Sequence, residues 1–235
     1  GRLMALYAFN LEVARVPWVT QETNIAEMRL QFWIDSVEGI FAGRSARKHE
    51  VLEPLAQVIA EADLGHEDFE ALRNARQFDI YKEPHADVAA FERYIDATSG
   101  ALMRLAARAL GAPETAMAAI SDFAFGAGVG NLLRAAPALL AYGRHPFPAE
   151  WQQNGDALAA VRTAGAMGQA RIARARAARA TVPADCKAAL LAGWRADQTL
   201  VAAIHAPQEI LDGSFAESEF RKKASLLWRN MTGRW

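Results

Sequence analysis

Apolar residues recur along this chain three and four positions apart and almost nowhere alternate singly, so it reads as helix after helix. The sharpest case starts at Asn24, a cap-like residue with Glu27 three positions on. There Ile25, Met28, Phe32, Trp33, Val37 and Ile40 share one face, and Glu27, Arg29, Asp35 and Glu38 the other. A polar loop at 43–47 leads to a helix near 49–62 that Gly65 stops, then to another near 67–81, ahead of the Lys82-Glu83-Pro84 turn. A long helix is expected from about Asp87 to Leu110. Gly111-Ala112-Pro113 breaks it, and Pro113 suits the first position of a second long helix reaching about Tyr142. From Phe123 to Leu140 that helix is nearly all apolar or glycine, which predicts the buried centre of a bundle. Gly126, Gly128 and Gly130 would let a neighbour or ligand approach closely. A loop at 143–148, a turn at Asn154-Gly155 and an Ala/Arg-rich helix from Asp156 to Ala180 follow, and two further helices near 184–205 and 216–228 complete the chain.

No repeat, low-complexity linker or charge boundary divides this pattern, so residues 1–235 are expected to form one all-α domain. Gly1-Arg2-Leu3 already lie inside an apolar-periodic segment with no cap ahead, and some N-terminal residues are expected to be missing from the sequence. Twenty-six Lys and Arg against 27 Asp and Glu leave a net charge of -1, too little field to recruit nucleic acid. A single cysteine, Cys186, forms no internal disulfide and no thiolate metal site, which fits a reducing compartment. No uninterrupted apolar run approaches the roughly 20 residues of a membrane span. Lysine is scarce beside Arg and Ala, a bias expected of a GC-rich bacterial genome, and a bacterial cytoplasm is the expected location.

Five blocks of the chain carry a resemblance by their order. They are Leu6-Tyr7-Ala8-Phe9-Asn10, Leu30-Gln31-Phe32-Trp33, His49-Glu50-Val51-Leu52, Arg76-Gln77-Phe78-Asp79 and Gly143-Arg144-His145-Pro146-Phe147-Pro148. Their order resembles the squalene/phytoene synthase family. Within it, Ala8-Phe9-Asn10 with Glu12, and Met28-Arg29-Leu30-Gln31-Phe32-Trp33, are most similar to the branch of the mitochondrial complex I assembly factor. The resemblance implies a single helical bundle of the isoprenoid synthase type. The family's enzymes join two prenyl diphosphates and hold Mg²⁺ between two Asp-rich motifs, since that small ion takes hard oxygen ligands in near-octahedral geometry. Carried onto this chain, the first motif's acids fall at Ala14 and Trp18. The second follows Asn131-Leu132-Leu133-Arg134, and its acids fall at Ala135, Ala138 and Leu139. None is a ligand, and no Asp or Glu occurs from Phe123 through Ala149, so a register slip does not restore the motif. The expectation is a family member without catalytic residues, without Mg²⁺ or another cofactor, that assists assembly of respiratory complex I. The alternative is a prenyl-diphosphate-using transferase or an isoprenoid-binding protein.

Framework positions of the resemblance remain at Tyr94, Gly100, Asn131, Arg134, Gly143, Arg144 and Pro148. With the acids gone, Arg15, Tyr94, Asn131, Arg134 and Arg144 are candidates for gripping an anion or prenyl lipid directly, since guanidinium groups bind phosphate and carboxylate bidentately. The plainer expectation pairs Arg15 with Glu12 and leaves Arg144 in a solvent-facing turn. His49, His66, His85, His145 and His205 lack metal-ligand spacing and read as surface or cap residues. Cys186, at a helix start, invites a depressed pKa. Phe9, Phe32, Trp33, Phe123 and Phe125 suit either an isoprenoid cavity or plain core. The Arg171–Arg179 stripe reads as a solvated face. Phe220, Leu227 and Trp228 beside Arg221, Lys222, Lys223 and Arg229 suggest a helix that docks on a partner protein or lies peripherally on a membrane. A respiratory-chain subunit or assembly protein is the expected partner.

Overall fold

The computed structural model of this protein describes residues 1–152, 156–215 and 218–235, without the side chains of Gln152 and Arg221. The expected turn at Asn154-Gly155 and a helix start at Ala216 lie outside the described residues. Helices α1 (Arg2–Arg15), α2 (Thr23–Phe41), α3 (Leu52–Glu61), α4 (Glu67–Tyr81), α5 (Val88–Ile95) and α6 (Ala101–Ala109) form the first part of the bundle. The second part comprises α7 (Glu114–Ala141), α8 (Ala149–Gln152), α9 (Ala157–Ala177), α10 (Lys187–Leu190), α11 (Ala196–His205), α12 (Pro207–Leu211) and α13 (Glu219–Thr232). No strand occurs among the described residues, as the 3.6-residue period requires.

Two apolar cores meet in this arrangement. Phe9, Leu30, Trp33, Leu55 and Phe69 of α1 to α4 pack in one, and Phe91, Ile120, Phe123, Ile172 and Leu200 of α5, α7, α9 and α11 in the other. Helix α6 serves both, giving Leu105 to the first and Met103 to the second. The central helix α7 is long and apolar enough to cross a membrane, yet 78% of its most apolar window is buried, the position of a core helix. Gly126 carries the close approach: a Cβ there would stand 2.4 Å from Ile172 Cγ1 and 2.7 Å from the Gly168 carbonyl oxygen, so α9 lies directly on the α7 backbone.

Polar ties fix the remaining faces. Asp87 and Asp156 cap α5 and α9 through bonds from the Ala90 and Ala159 amides. Asp68 of α4, 3% exposed, accepts from Arg104 Nε at 2.9 Å and from Arg108 Nη1 at 2.7 Å, both on α6. The Arg-rich stripe is only partly a solvated face: Arg174 and Arg179 are exposed, but three of its arginines also hold acids of neighbouring helices. Arg171 and Arg174 hold Asp122 of α7, and Arg176 holds Asp197 of α11 at 2.7 Å. Their acids lie far off in sequence, so helical spacing alone could not reveal the pairing.

Local signals erred in small ways. Asn24 lies inside α2, whose N-cap is Glu22 with no side-chain cap. Pro113 is the N-cap of α7, one position ahead of the expected place. The helix expected from Asp87 to Leu110 contains a π-helical turn at Asp96–Gly100 between α5 and α6. The one expected near 184–205 is divided into the short α10 and the longer α11, with 3-10 turns at Ala184–Cys186 and Leu191–Gly193, and Gly193 lies close against Ala127 and Phe123 of α7.

Candidate functional site

A cavity of about 280 Å³ opens where the two cores meet. Asn10 of α1 reaches it from one side, and Arg76 and Asp79 of α4 from another. Tyr94 of α5 and Thr98 and Ser99 of the π-helical turn add hydroxyls, while Gly128 and Asn131 of α7 supply a bare stretch of helix and an amide. The extra residue of a π-helical turn re-aims side chains without ending the helix, a device common at functional sites. At Gly128 a Cβ would stand 2.7 Å from Ser99 Cβ, so the glycine lets the turn and α7 meet at the cavity wall.

Three of the five positions that the resemblance assigns to acids border this cavity. Trp18, Ala135 and Leu139 line this cavity. Ala14 is half-buried on α1, and Ala138 is exposed on α7. The single acid among the lining residues is Asp79, and it is already engaged. Its carboxylate accepts from Arg76 Nη1 at 2.9 Å and from the Tyr94 hydroxyl at 2.9 Å. Burial works against the charge on Arg76, but Asp79 and Tyr94 outweigh it and the pKa is raised. Burial and the neighbouring Asp79 push the Tyr94 phenol well above its ordinary value, so it stays a hydrogen-bond donor. One carboxylate spent on a guanidinium and a phenol does not fit Mg²⁺, which needs several free oxygen ligands. Among the described residues no three His, Cys, Asp or Glu side chains gather to hold an ion.

Two buried polar atoms on the same cavity lack a partner among the described residues: Arg76 Nε, a donor, and Asn10 Oδ1, an acceptor. Such atoms cost about 1–3 kcal/mol each when left unmade, and both belong to side chains of the cavity wall, where a small side-chain shift would present them to water or a ligand. The sequence reading missed Arg76, Asp79 and Asn10 as site residues. The signal was there, because all three stand in the blocks that carry the resemblance, but their convergence depends on how α1, α4 and α5 pack.

Of the five candidate ligand-binding residues, Tyr94 and Asn131 line the cavity and the three arginines do not share it. Arg15 is exposed and donates to Glu12 at 2.9 Å, beside a separate groove bordered by Arg29 and Trp33. Arg134 turns to α11, bonding Thr199 Oγ1 at 3.1 Å as well as Asn131. Arg144 is 7% exposed, so the solvent-facing turn expected for it is corrected. Its guanidinium lies 4.5 Å from the centre of the Trp18 ring and Nη2 donates to the Pro17 carbonyl at 3.0 Å. Tyr142 meets the same indole edge-on at 5.3 Å. One rim of the cavity thus carries an Arg–Trp–Tyr stack, built on Trp18, a position that the resemblance assigns to an acid.

Other sequence candidates resolve into packing. Phe9, Trp33, Phe123 and Phe125 are buried core residues, none of them on the cavity. Cys186 is buried 1% exposed, and burial raises its thiol pKa, the reverse of the depression a helix start suggested. His66 bonds Glu38 at 2.8 Å, and His49 accepts from the Val51 amide. His85 is not a surface residue. It is 5% exposed, stacked on Phe78 at 5.1 Å and packed against Phe91 and Tyr94.

Burial holds the His85 imidazole down at about 4, against only a weak opposing pull from Asp79. The unfolded chain takes up this proton near the ordinary pKa of 6.5 and the folded chain only near 4. Acid therefore favours unfolding. The stability that depends on a neutral His85 is complete above about pH 6.5 and falls as pH drops toward 4, by about 3 kcal/mol at the full extent. Urea midpoints measured from pH 7.5 to 4.5 will show this slope, and His85→Phe will flatten it; equal slopes in the two proteins would remove His85 as the cause.

The comparisons fit this geometry. The profile of the squalene/phytoene synthase family matches residues 1–221. The chain is similar to the squalene synthase HpnC from Alicyclobacillus acidocaldarius, with a TM-score of 0.73 and 18% identity over 86% of this chain and 81% of that one. A dehydrosqualene synthase in complex with ligand gives a TM-score of 0.76 and 15% identity, over 98% of this chain and 86% of that one. Among curated proteins, the Dictyostelium discoideum homolog of NADH dehydrogenase (ubiquinone) complex I, assembly factor 6, is 31% identical over 107 residues, which are 46% of this chain and 30% of that protein. The mouse assembly factor 6 is 28% identical over 134 residues, 57% of this chain and 40% of that protein. The aligned part thus spans well under half the length of these curated relatives. An all-helical bundle, a cavity where its two cores meet, and a family profile running over nearly the whole chain lead to one statement: this chain belongs to the squalene/phytoene synthase family.

Proposed function

We propose that this chain is a non-catalytic member of its family that assists the assembly of respiratory complex I in a bacterial cytoplasm. The observation that carries the reading is the cavity lining, where Trp18, Ala135 and Leu139, to which the resemblance assigns metal-binding acids, supply no carboxylate and the one acid, Asp79, is committed to Arg76 and Tyr94. Similarity to assembly factor 6 of several organisms supports the direction of the role, and fold alone would not have given it. Deleting the gene in its host is expected to lower assembled complex I, read on native gels, while squalene- and phytoene-type products stay at wild-type levels. Intact complex I with depleted isoprenoids would reverse the assignment.

A second reading is favoured by the unpartnered Arg76 Nε and Asn10 Oδ1, which suit a small molecule held in the cavity without metal. It is compatible with an assembly role. Calorimetry in the presence of EDTA distinguishes it from an empty cavity, and heat that appears only when Mg²⁺ is added would count against it.

A further inference from the structure

Helix α13 is mounted inside out. Phe220, Leu227, Trp228 and Met231 fall at i, i+7, i+8 and i+11, one face of the helix, and they are 81%, 59%, 61% and 74% exposed. The partly covered positions are polar: Lys222, Ser225 and Arg229, at i, i+3 and i+7, face the bundle. A helix packed only to build a core would do the reverse, since burying each large apolar side chain stabilises by about 1.5–3 kcal/mol.

The mounting is fixed at two points. Arg229 Nη2 donates to Asp197 of α11, which also takes a bidentate pair from Arg176 at 3.0 and 2.7 Å. These bonds hold the Asp197 carboxyl below the usual range, against the opposing effect of burial. Just past the helix, Trp235 is 6% exposed, packs edge-on to Phe123 at 5.0 Å, and gives its carbonyl to Arg176 Nε. Turning the helix over would break both anchors, so the apolar stripe stays outward.

Charge selects the occupant. From Ser218 to Trp235 there are five basic side chains and one acid, Glu219, a net side-chain charge of +4 on a chain whose total is -1, which leaves -5 for the rest. Basic residues flanking an aromatic and aliphatic stripe suit a surface that is apolar beneath and negative at its rim. A cleft beside the end of the helix takes in Met231 but none of Phe220, Leu227 and Trp228, so it gives a peptide no groove along the stripe, and the charge of the helix opposes a like helix from a second copy. We propose that α13 lies on an anionic phospholipid surface, with Phe220, Leu227, Trp228 and Met231 entering the headgroup–acyl boundary. The family profile ends at residue 221, so nearly all of this helix lies outside the region common to the family. The proposal is independent of the assembly role: vesicle binding by a protein whose deletion leaves complex I intact would retain the one and remove the other.

The test is flotation of the purified full chain with phosphatidylcholine vesicles, with and without phosphatidylglycerol. The wild type is expected to float with the anionic vesicles only, and less so as salt is raised. The double variant Leu227→Glu/Trp228→Glu should float at least tenfold less with an unchanged melting curve, because both side chains are exposed. Met4→Glu, at an equally exposed apolar residue on α1, should float like wild type. The proposal fails if the wild type floats with neither vesicle or equally with both, if the double variant floats normally, or if Met4→Glu is equally impaired. Sedimentation of the wild type as a dimer that the double variant converts to monomer would also overturn it, in favour of a second copy.

Discussion

Given farnesyl or geranylgeranyl diphosphate and Mg²⁺, the purified protein will release no pyrophosphate above the uncatalysed background. Departure of a diphosphate concentrates negative charge on its oxygens, and catalysis of that step depends on preorganised charge waiting where it develops. Here the mouth offers an indole at Trp18, a methyl at Ala135 and an isobutyl group at Leu139, with Asp79 bonded to Arg76 and Tyr94. Losing a single such donor costs about 10²–10³ in rate, and losing the whole metal-holding set costs many powers of ten more. By the same reasoning, whatever diphosphate the cavity holds will bind equally in Mg²⁺ and in EDTA. Mg²⁺-dependent turnover of roughly 1 per second, ordinary for an enzyme, would overturn the non-catalytic reading.

The largest effect on stability is expected at Asp68. Asp68→Asn keeps the shape but leaves Arg104 and Arg108, 15% and 24% exposed at their side chains, without the carboxylate that joins them across α4 and α6. Breaking a buried ion pair from one side costs about 3–5 kcal/mol, because the partner's charge stays buried. Asp96 at 2.7 Å from Arg104 and Glu114 at 3.4 Å from Arg108 offset part of this, which points to the lower end of the range. A chain of this size should then melt roughly 10 °C lower. Arg15→Ala, which removes a largely exposed pair with Glu12, should change stability by less than about 1 kcal/mol. If the two variants melt alike, the Asp68 cluster is as solvent-screened as a surface pair.

These contrasts mark what a reader of the sequence could and could not have known. Helix α4 was legible to the residue, since its apolar period starts and stops at a cluster of acids and a turn. The burial of α7 was legible because no charge interrupts Phe123 to Val129. Arg144 was not legible. Its neighbours in sequence, Gly143 and His145, are exposed, and only the distant Trp18 and Pro17 make its place a buried one. Asp79 and Arg76 were likewise hidden, as an i, i+3 pair looks the same on a surface as it does at the wall of a cavity. The outward face of α13 was visible as a pattern, but the pattern could not say which side the bundle would take.

The bond from Arg144 to the Pro17 carbonyl joins residues 127 positions apart. Closing a loop of that length costs more entropy than any local helix contact, so such ties are completed late in folding. During synthesis the order is stricter still. A growing chain has α1 and Trp18 outside the ribosome long before the segment with Tyr142 and Arg144 emerges, and until then neither of those side chains meets Trp18. The rim of the cavity at Trp18 is thus finished later than the walls that α1 and α4 supply, and it depends on a part of the chain made well after both helices.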